Sequence, residues 1–445
     1  MITDVPMTRP NEMLAVHENM YAPAFAELEN GKILSFARYR TDPLGEEQVK
    51  FSISDDGGLT WGTPFDRKDV SGHPVGGTHQ TAISLVGLSS GGVGLASNIR
   101  TPGDMHALFW RSEDGGESWE NPVRISPQNM DALFVSTDVM MRTSSGRIIL
   151  PVYTLLRQRS RPEEHFPTLP GKLVNGQYMP ASGHFFDPSF SAVYVCYSDD
   201  DGRTWQRNKD GELFINLDWN TTFSYVNEPS VAEVSPGKLV IMLRTGLGRL
   251  YQAWSDDDGE TWGRPQPTSL AASTTPAYIT SIPSTGHLLV VWNQEGEEEV
   301  KRSFPRSRMS AAISRNGGSV WEFFQNVESM HEETRVEPGP IRPLRPSEYY
   351  YEAGLPAPER DAEYVSSTSR EGSWSWRITY PGVFVTGDRV FVHYRYIVCE
   401  EHPTKAKIVQ RKLTRFKVIP LSWFYGGKEP ADNPVLTKAW TPAGE

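Results

Sequence analysis

Apolar residues in this chain come in short runs rich in β-branched side chains, each bounded by turn-forming residues. Such runs read as strands, because a helix needs a longer stretch with a period of about 3.6 residues. Six of them follow a turn glycine and end on a polar or aromatic residue. They are Gly31-Lys-Ile-Leu-Ser-Phe-Ala-Arg38, Gly92-Val-Gly-Leu-Ala-Ser-Asn98, Gly146-Arg-Ile-Ile-Leu-Pro-Val-Tyr153, Gly237-Lys-Leu-Val-Ile-Met-Leu-Arg244, Gly286-His-Leu-Leu-Val-Val-Trp-Asn293 and Gly387-Asp-Arg-Val-Phe-Val-His-Tyr394. A short apolar strand precedes each, such as Pro23-Ala-Phe-Ala-Glu-Leu or Pro229-Ser-Val-Ala-Glu-Val, so the unit is a hairpin used six times.

Five hairpins continue into a third strand and then a common turn. Its first copy is Ser54-Asp-Asp56-Gly-Gly58-Leu-Thr60-Trp61, and the others begin at Ser112, Ser198, Ser255 and Ser314, spaced 58, 86, 57 and 59 residues apart. The fifth copy, Ser314-Arg-Asn-Gly-Gly-Ser-Val-Trp321, is worn. Asp and Ser side chains bond nearby backbone amides, Gly takes positive φ, and Trp anchors the next strand, so the box builds a turn. A repeated four-stranded antiparallel unit predicts an all-β chain folded as a six-bladed β-propeller, one domain over residues 1–445. The last unit lacks a box, and a terminal segment is expected to complete it and close the ring.

Composition narrows the partners. A formal net charge of −11 argues against nucleic acid, and an anionic ligand would need a local cluster of arginines. Two cysteines, Cys196 and Cys399, argue against a disulfide framework or a cysteine zinc site. The histidines form no ligand pair and no phosphate-binding glycine loop is present, so neither metal nor cofactor is expected. No apolar run is long enough to span a membrane, and no signal peptide is visible. The chain reads as cytoplasmic, although a removed leader would leave the same sequence.

Strand direction places a site. With strands A to D numbered from the axis outward, the boxes join C to D on one face. The starts of A and the ends of B gather on the opposite face. There the sequence sets Tyr21 and Arg38, His79 and Asn98, Asp138 and Tyr153, Glu228 and Arg244, Asn293, and Tyr380 and Tyr394. These residue types are rarely buried without a role. Two long connections, about 155–190 and 325–375, emerge on the same face and are expected to act as lids.

From about residue 15 to 425 the chain resembles the sialidase superfamily, whose hallmark is this Asp-box propeller. The resemblance implies an exo-glycosidase acting on a terminal sialic acid or related acidic sugar, with a carbohydrate partner. Asn227-Glu228-Pro229 followed by Arg244 resembles the family's glutamate and second arginine, and Tyr380-Pro381 its tyrosine nucleophile. Arg306 resembles the third arginine, with Arg308 as the rival. Tyr21-Ala22-Pro23 stands where the family has Arg-Ile-Pro, so the first arginine is missing unless Arg38 or Arg40 replaces it. The acid/base resembles Asp42, with Glu46 and Glu47 as alternatives.

These roles make chemical sense. A phenol with a pKa near 10 needs a carboxylate to take its proton, and a neutral attacker avoids repulsion from an anionic sugar. Arginines clamp a carboxylate bidentately, as lysine cannot. The same residues have other readings: Glu228 and Arg244 as a buried pair, Tyr380 as axis packing, Asp42 as a turn residue. His79 is either a proton shuttle or hydroxyl ligand, or a strand-start interblade bond. Asp138 is either a sugar ligand or a partner for an arginine, and Trp374 and Trp376 either stack on a sugar or pack beneath a lid. Two other functions fit the frame: a uronate-directed polysaccharide lyase using Tyr380 or Tyr21 with His79, and a non-catalytic glycan-binding propeller.

Overall fold

The computed structural model describes residues 13–17, 20–39, 48–78, 80–101, 104–126, 134, 138–156, 172–174, 177–179, 190–209, 212–215, 226–272, 275–296, 306, 308–329, 333–341, 377–401 and 408–428. A short strand, β1 (Ala15–His17), is followed by blade one: β2 (Met20–Glu27), β3 (Ile33–Tyr39) and β4 (Gln48–Ser54). Its fourth position is held by Phe65, which exchanges backbone bonds of 2.8 and 2.9 Å with Phe51. Blade two is β5 (Gln80–Gly87), β6 (Val93–Thr101), β7 (Asp104–Ser112) and β8 (Val123–Arg124). Blade three begins with β9 (Met141–Arg142) and β10 (Ile148–Leu156). A small hairpin, β11 (Lys172–Val174) with β12 (Gln177–Met179), precedes the outer strands β13 (Phe190–Ser198) and β14 (Gln206–Arg207).

Blade four is β15 (Asn227–Ser235), β16 (Lys238–Arg244), β17 (Arg249–Ser255) and β18 (Gln266–Ala271). Blade five is β19 (Ala277–Ser281), β20 (Leu288–Trp292), β21 (Arg308–Ser314) and β22 (Glu322–Ser329). Blade six is β23 (Arg377–Thr386), β24 (Arg389–Glu401) and β25 (Ile408–Pro420), with a 3-10 turn after it at Leu421–Tyr425. Its outermost strand is β1, paired antiparallel to β25 from Ala15↔Val418 to His17↔Phe416. The ring expected from the repeats therefore closes, and the N-terminal segment closes it. Six blades of antiparallel strands surround an axial cavity of about 400 Å³ lined by all six inner strands.

Each box forms as its residue types dictate. In the first, Ser54 Oγ donates to Asp56 Oδ1 (2.8 Å) and accepts from Gly58 N (2.8 Å). Thr60 donates through N (2.9 Å) and Oγ1 (2.6 Å) to the same carboxylate. The worn fifth box keeps Gly318 N to Ser314 Oγ and Val320 N to Asn316 Oδ1, both 2.9 Å, but Val320 has no hydroxyl to give.

The boxes also join the blades. A donor from the preceding blade reaches a backbone carbonyl of every box. Arg389 Nη1 meets Asp56 O (2.8 Å), Arg67 Nε meets Gly116 O (2.9 Å), Arg111 Nε meets Asp201 O (2.7 Å), Arg147 Nη1 meets Asp258 O (3.0 Å), and Gln252 Nε2 meets Gly318 O (3.0 Å). The turn glycines permit this approach. A Cβ at Gly58 would stand 2.3 Å from the Phe391 ring, and one at Gly202 would stand 2.0 Å from Phe109.

Candidate functional site

Three of the six inner strands carry one local device. In blades one, four and six, three residues of the inner strand oppose two of the next. The registers are Tyr21↔Arg38 then Ala24↔Phe36, Asn227↔Arg244 then Ser230↔Met242, and Thr379↔Arg395 then Gly382↔His393. The inserted residue has positive φ in each case: Ala22 at 46°, Glu228 at 41° and Tyr380 at 56°. Each precedes a proline, Pro23, Pro229 or Pro381. Left-handed backbone at a non-glycine residue costs on the order of 1–3 kcal/mol and re-aims its side chain. The bulge is thus architectural in three blades, and in two of them it presents an ionisable group.

Those two groups meet. Tyr380 Oη donates to Glu228 Oε1 at 3.2 Å, across from blade six to blade four. Arg244 Nη1 donates to the other oxygen, Glu228 Oε2. Glu228 and Arg244 are buried, and Tyr380 is half-buried. Burial pushes the Tyr380 phenol above its usual value and the Glu228 charge adds to this, while Arg244, Arg306 and Arg395 pull it down. Arg306 Cζ lies 5.9 Å and Arg395 Cζ 4.4 Å from the centre of the Tyr380 ring. Arg306 has φ 59°, and its backbone is pinned: its N donates to Glu295 Oε1 (2.8 Å) and its O accepts from Ile378 N (2.9 Å). The rival, Arg308, pairs instead toward Glu333 (3.8 Å).

Other expected site residues fall elsewhere. Arg38 donates to Gln80 O of blade two at 3.1 Å. Asp138 reads from the sequence as a sugar ligand or as a partner for an arginine. It lies within the axis, where Oδ2 accepts from Phe25 N (2.7 Å) and Oδ1 from Leu85 N and Ser84 Oγ (2.8 Å each). Burial pushes its carboxyl up to about 7 against the pull of those donors. Through these three protein donors Asp138 joins blades one, two and three, and it lines the axial cavity. Tyr394 leaves the ring, donating to Glu328 of blade five, which is buried with Arg415 (2.6 Å) and Lys417 (2.9 Å). Asn293 donates to the carbonyls of Arg308 (2.9 Å) and Ile378 (2.7 Å).

Asp42, Arg40, Glu46, Glu47, His79, Trp374 and Trp376 lie outside the described residues, as does most of both expected lids. Sequence reasoning missed Arg395. In β15–β16 the glycine is the second residue of the two-residue turn, but in β23–β24 Gly387 is the first, so counting from glycine stops one residue short at Tyr394. Counting from the bulge finds it.

The BNR repeat-like domain family matches residues 100–393. Among solved structures, a Hadza microbial sialidase, Hz136, is 15% identical with a TM-score of 0.52, over 93% of this chain and 67% of that one. A protein of unknown function from Dyadobacter fermentans is 18% identical with a TM-score of 0.52, over 94% and 97%. The leech intramolecular trans-sialidase, complexed with 2,7-anhydro-Neu5Ac, is 13% identical with a TM-score of 0.52, over 94% and 70%. At these identities the likeness is one of fold. The matched family, the five boxes and the six blades together make this chain a member of the BNR repeat-like domain family.

Proposed function

We propose that the chain is a glycoside hydrolase removing a terminal acidic sugar, sialic acid or a relative, from a glycan. One observation carries this reading: the unbroken relay from the Tyr380 phenol to Glu228 to Arg244. A phenol is a poor nucleophile until its proton leaves, and Glu228 is placed to accept it. The freed oxygen attacks the anomeric carbon, forming an aryl glycoside as the bond to the leaving oxygen breaks. Asp42 is the proposed acid that protonates that leaving oxygen, and then the base that activates water to release the sugar. Arg244 and Arg306 are the proposed grip on the sugar's carboxylate. Tyrosine-nucleophile sialidases are a known exception to the two-carboxylate scheme.

The test is turnover of fluorogenic sialosides and of glycans ending in other acidic sugars, with purified full-length protein. Product that disappears in Y380F supports the hydrolase. Ultraviolet absorbance of an unsaturated uronate with acidic polysaccharides, and no sialoside product, overturns it in favour of the lyase. Tight glycan binding with no turnover of any substrate overturns it in favour of a binding propeller.

A further inference from the structure

The missing blade-one arginine has a counterpart in blade six. Arg38, Arg244 and Arg395 occupy equivalent positions, each two residues beyond the partner of the residue that follows the bulge: Phe36, Met242 and His393. Side chains alternate along a strand, so Arg395 shares a face with His393 and Phe391. That face packs on blade one: Phe25 lies 5.5 Å from Phe391 and 6.2 Å from His393, ring to ring. Arg395 therefore projects from blade six toward blade one, as Arg38 projects toward blade two and reaches Gln80 O. At the inserted position blade one offers only Ala22, whose side chain carries no charge. His393, buried beneath Arg395, is pushed down to about 3 by burial and by the Arg395 charge, so it adds no second cation there. Arg395 and Arg306 both lie against the Tyr380 ring, at 4.4 and 5.9 Å.

We infer that Arg395 is the third cation of the anion site, gripping the substrate carboxylate together with Arg244 and Arg306 from the blade-six side of the axis. This rests on the acidic-sugar reading above. It also moves one corner of the grip next to the nucleophile, so the carboxylate and the anomeric carbon are held by neighbouring residues of β23 and β24.

The test is isothermal titration of N-acetylneuraminic acid and D-glucuronic acid, each alongside its uncharged methyl ester, into wild type, R395Q and R395K. Loss of an arginine contact to a carboxylate is expected to weaken binding of the preferred acid by about 10- to 100-fold in R395Q. Binding of the ester should stay unchanged. Equal affinity of wild type and R395Q for the acid overturns the inference while leaving the acidic-sugar reading standing. Equal loss for acid and ester also overturns it, because Arg395 would then only position Tyr380. Wild type that binds neither acid better than its ester sinks the acidic-sugar reading itself, and the inference with it. Should circular dichroism show R395Q unfolded, R395K decides: it keeps the charge but loses the fork, so a selective loss for the acid supports the inference and equal affinity overturns it.

Discussion

Tyr380 and Glu228 share one hydrogen bond, yet changing them has different consequences. Tyr380→Phe removes a single hydroxyl from a half-buried ring. We expect turnover of the active sialoside to fall at least about 1,000-fold, while stability in urea changes by no more than about 1 kcal/mol. Glu228→Ala should differ on both counts. It removes one partner of a buried ion pair with Arg244, so it should cost about 3–5 kcal/mol in the same urea melts, as well as activity. An active Y380F would remove the tyrosine from the chemistry, and a fully stable E228A would remove the pair from the fold. Both residues were readable in the sequence because each sits before a proline at a strand start. Arg395 was not, because its position depends on which turn residue is glycine. Asp138 read as a sugar ligand or an arginine's partner, and only the structure shows its three donors from blades one and two.

The Asp box is both a turn and a latch. Desolvation alone would raise the Asp56 carboxyl, yet bonds from Thr60 and Ser54 hold it at about 2. The fifth box has Asn316 in place of the aspartate and Val320, half-exposed, in place of the hydroxyl residue, so the bond between those two side chains is missing. The pair Asn316→Asp with Val320→Thr should therefore restore the missing bond and stabilise the protein by about 0.5–1.5 kcal/mol in thermal melts. No gain, with the other boxes intact, would mean the hydroxyl bond is not what makes the box stable. The turn itself was evident from its residue types. Its latching of the preceding blade was not, since Arg389, Arg67, Arg111, Arg147 and Gln252 share no spacing from the boxes they hold.

At the scale of the ring, buried titratable groups set the response to acid. His393 has a folded value of about 3, below its unfolded 6.5, so its contribution to stability is lost as pH falls through that window. Asp138 is raised to about 7 from 3.8, so the folded form binds its proton more tightly and gains stability over much of the same window. The two slopes oppose each other. Wild-type melting temperature should change little between about pH 7 and pH 4, then fall as the lowered box aspartates 56, 114, 200 and 257 are protonated. His393→Gln leaves the Asp138 slope unopposed, so its melting temperature should rise on going from about pH 7 to pH 4. A variant that instead tracks wild type across that range would show that the folded protein does not hold His393 below its ordinary value.

Local patterns alone determined the six hairpins, the five boxes and the face on which the site lies, because strand alternation and turn chemistry act between near neighbours in the chain. Contacts between blades were decided by tertiary structure. The closing of blade six by β1, the hydrogen bond from Tyr380 of blade six to Glu228 of blade four, and the diversion of Asp138 and Tyr394 into interblade bonds join residues that are distant in sequence. No period in the sequence records them. They follow from bulges that aim side chains and from the burial of polar groups that must find partners when six blades pack around one axis.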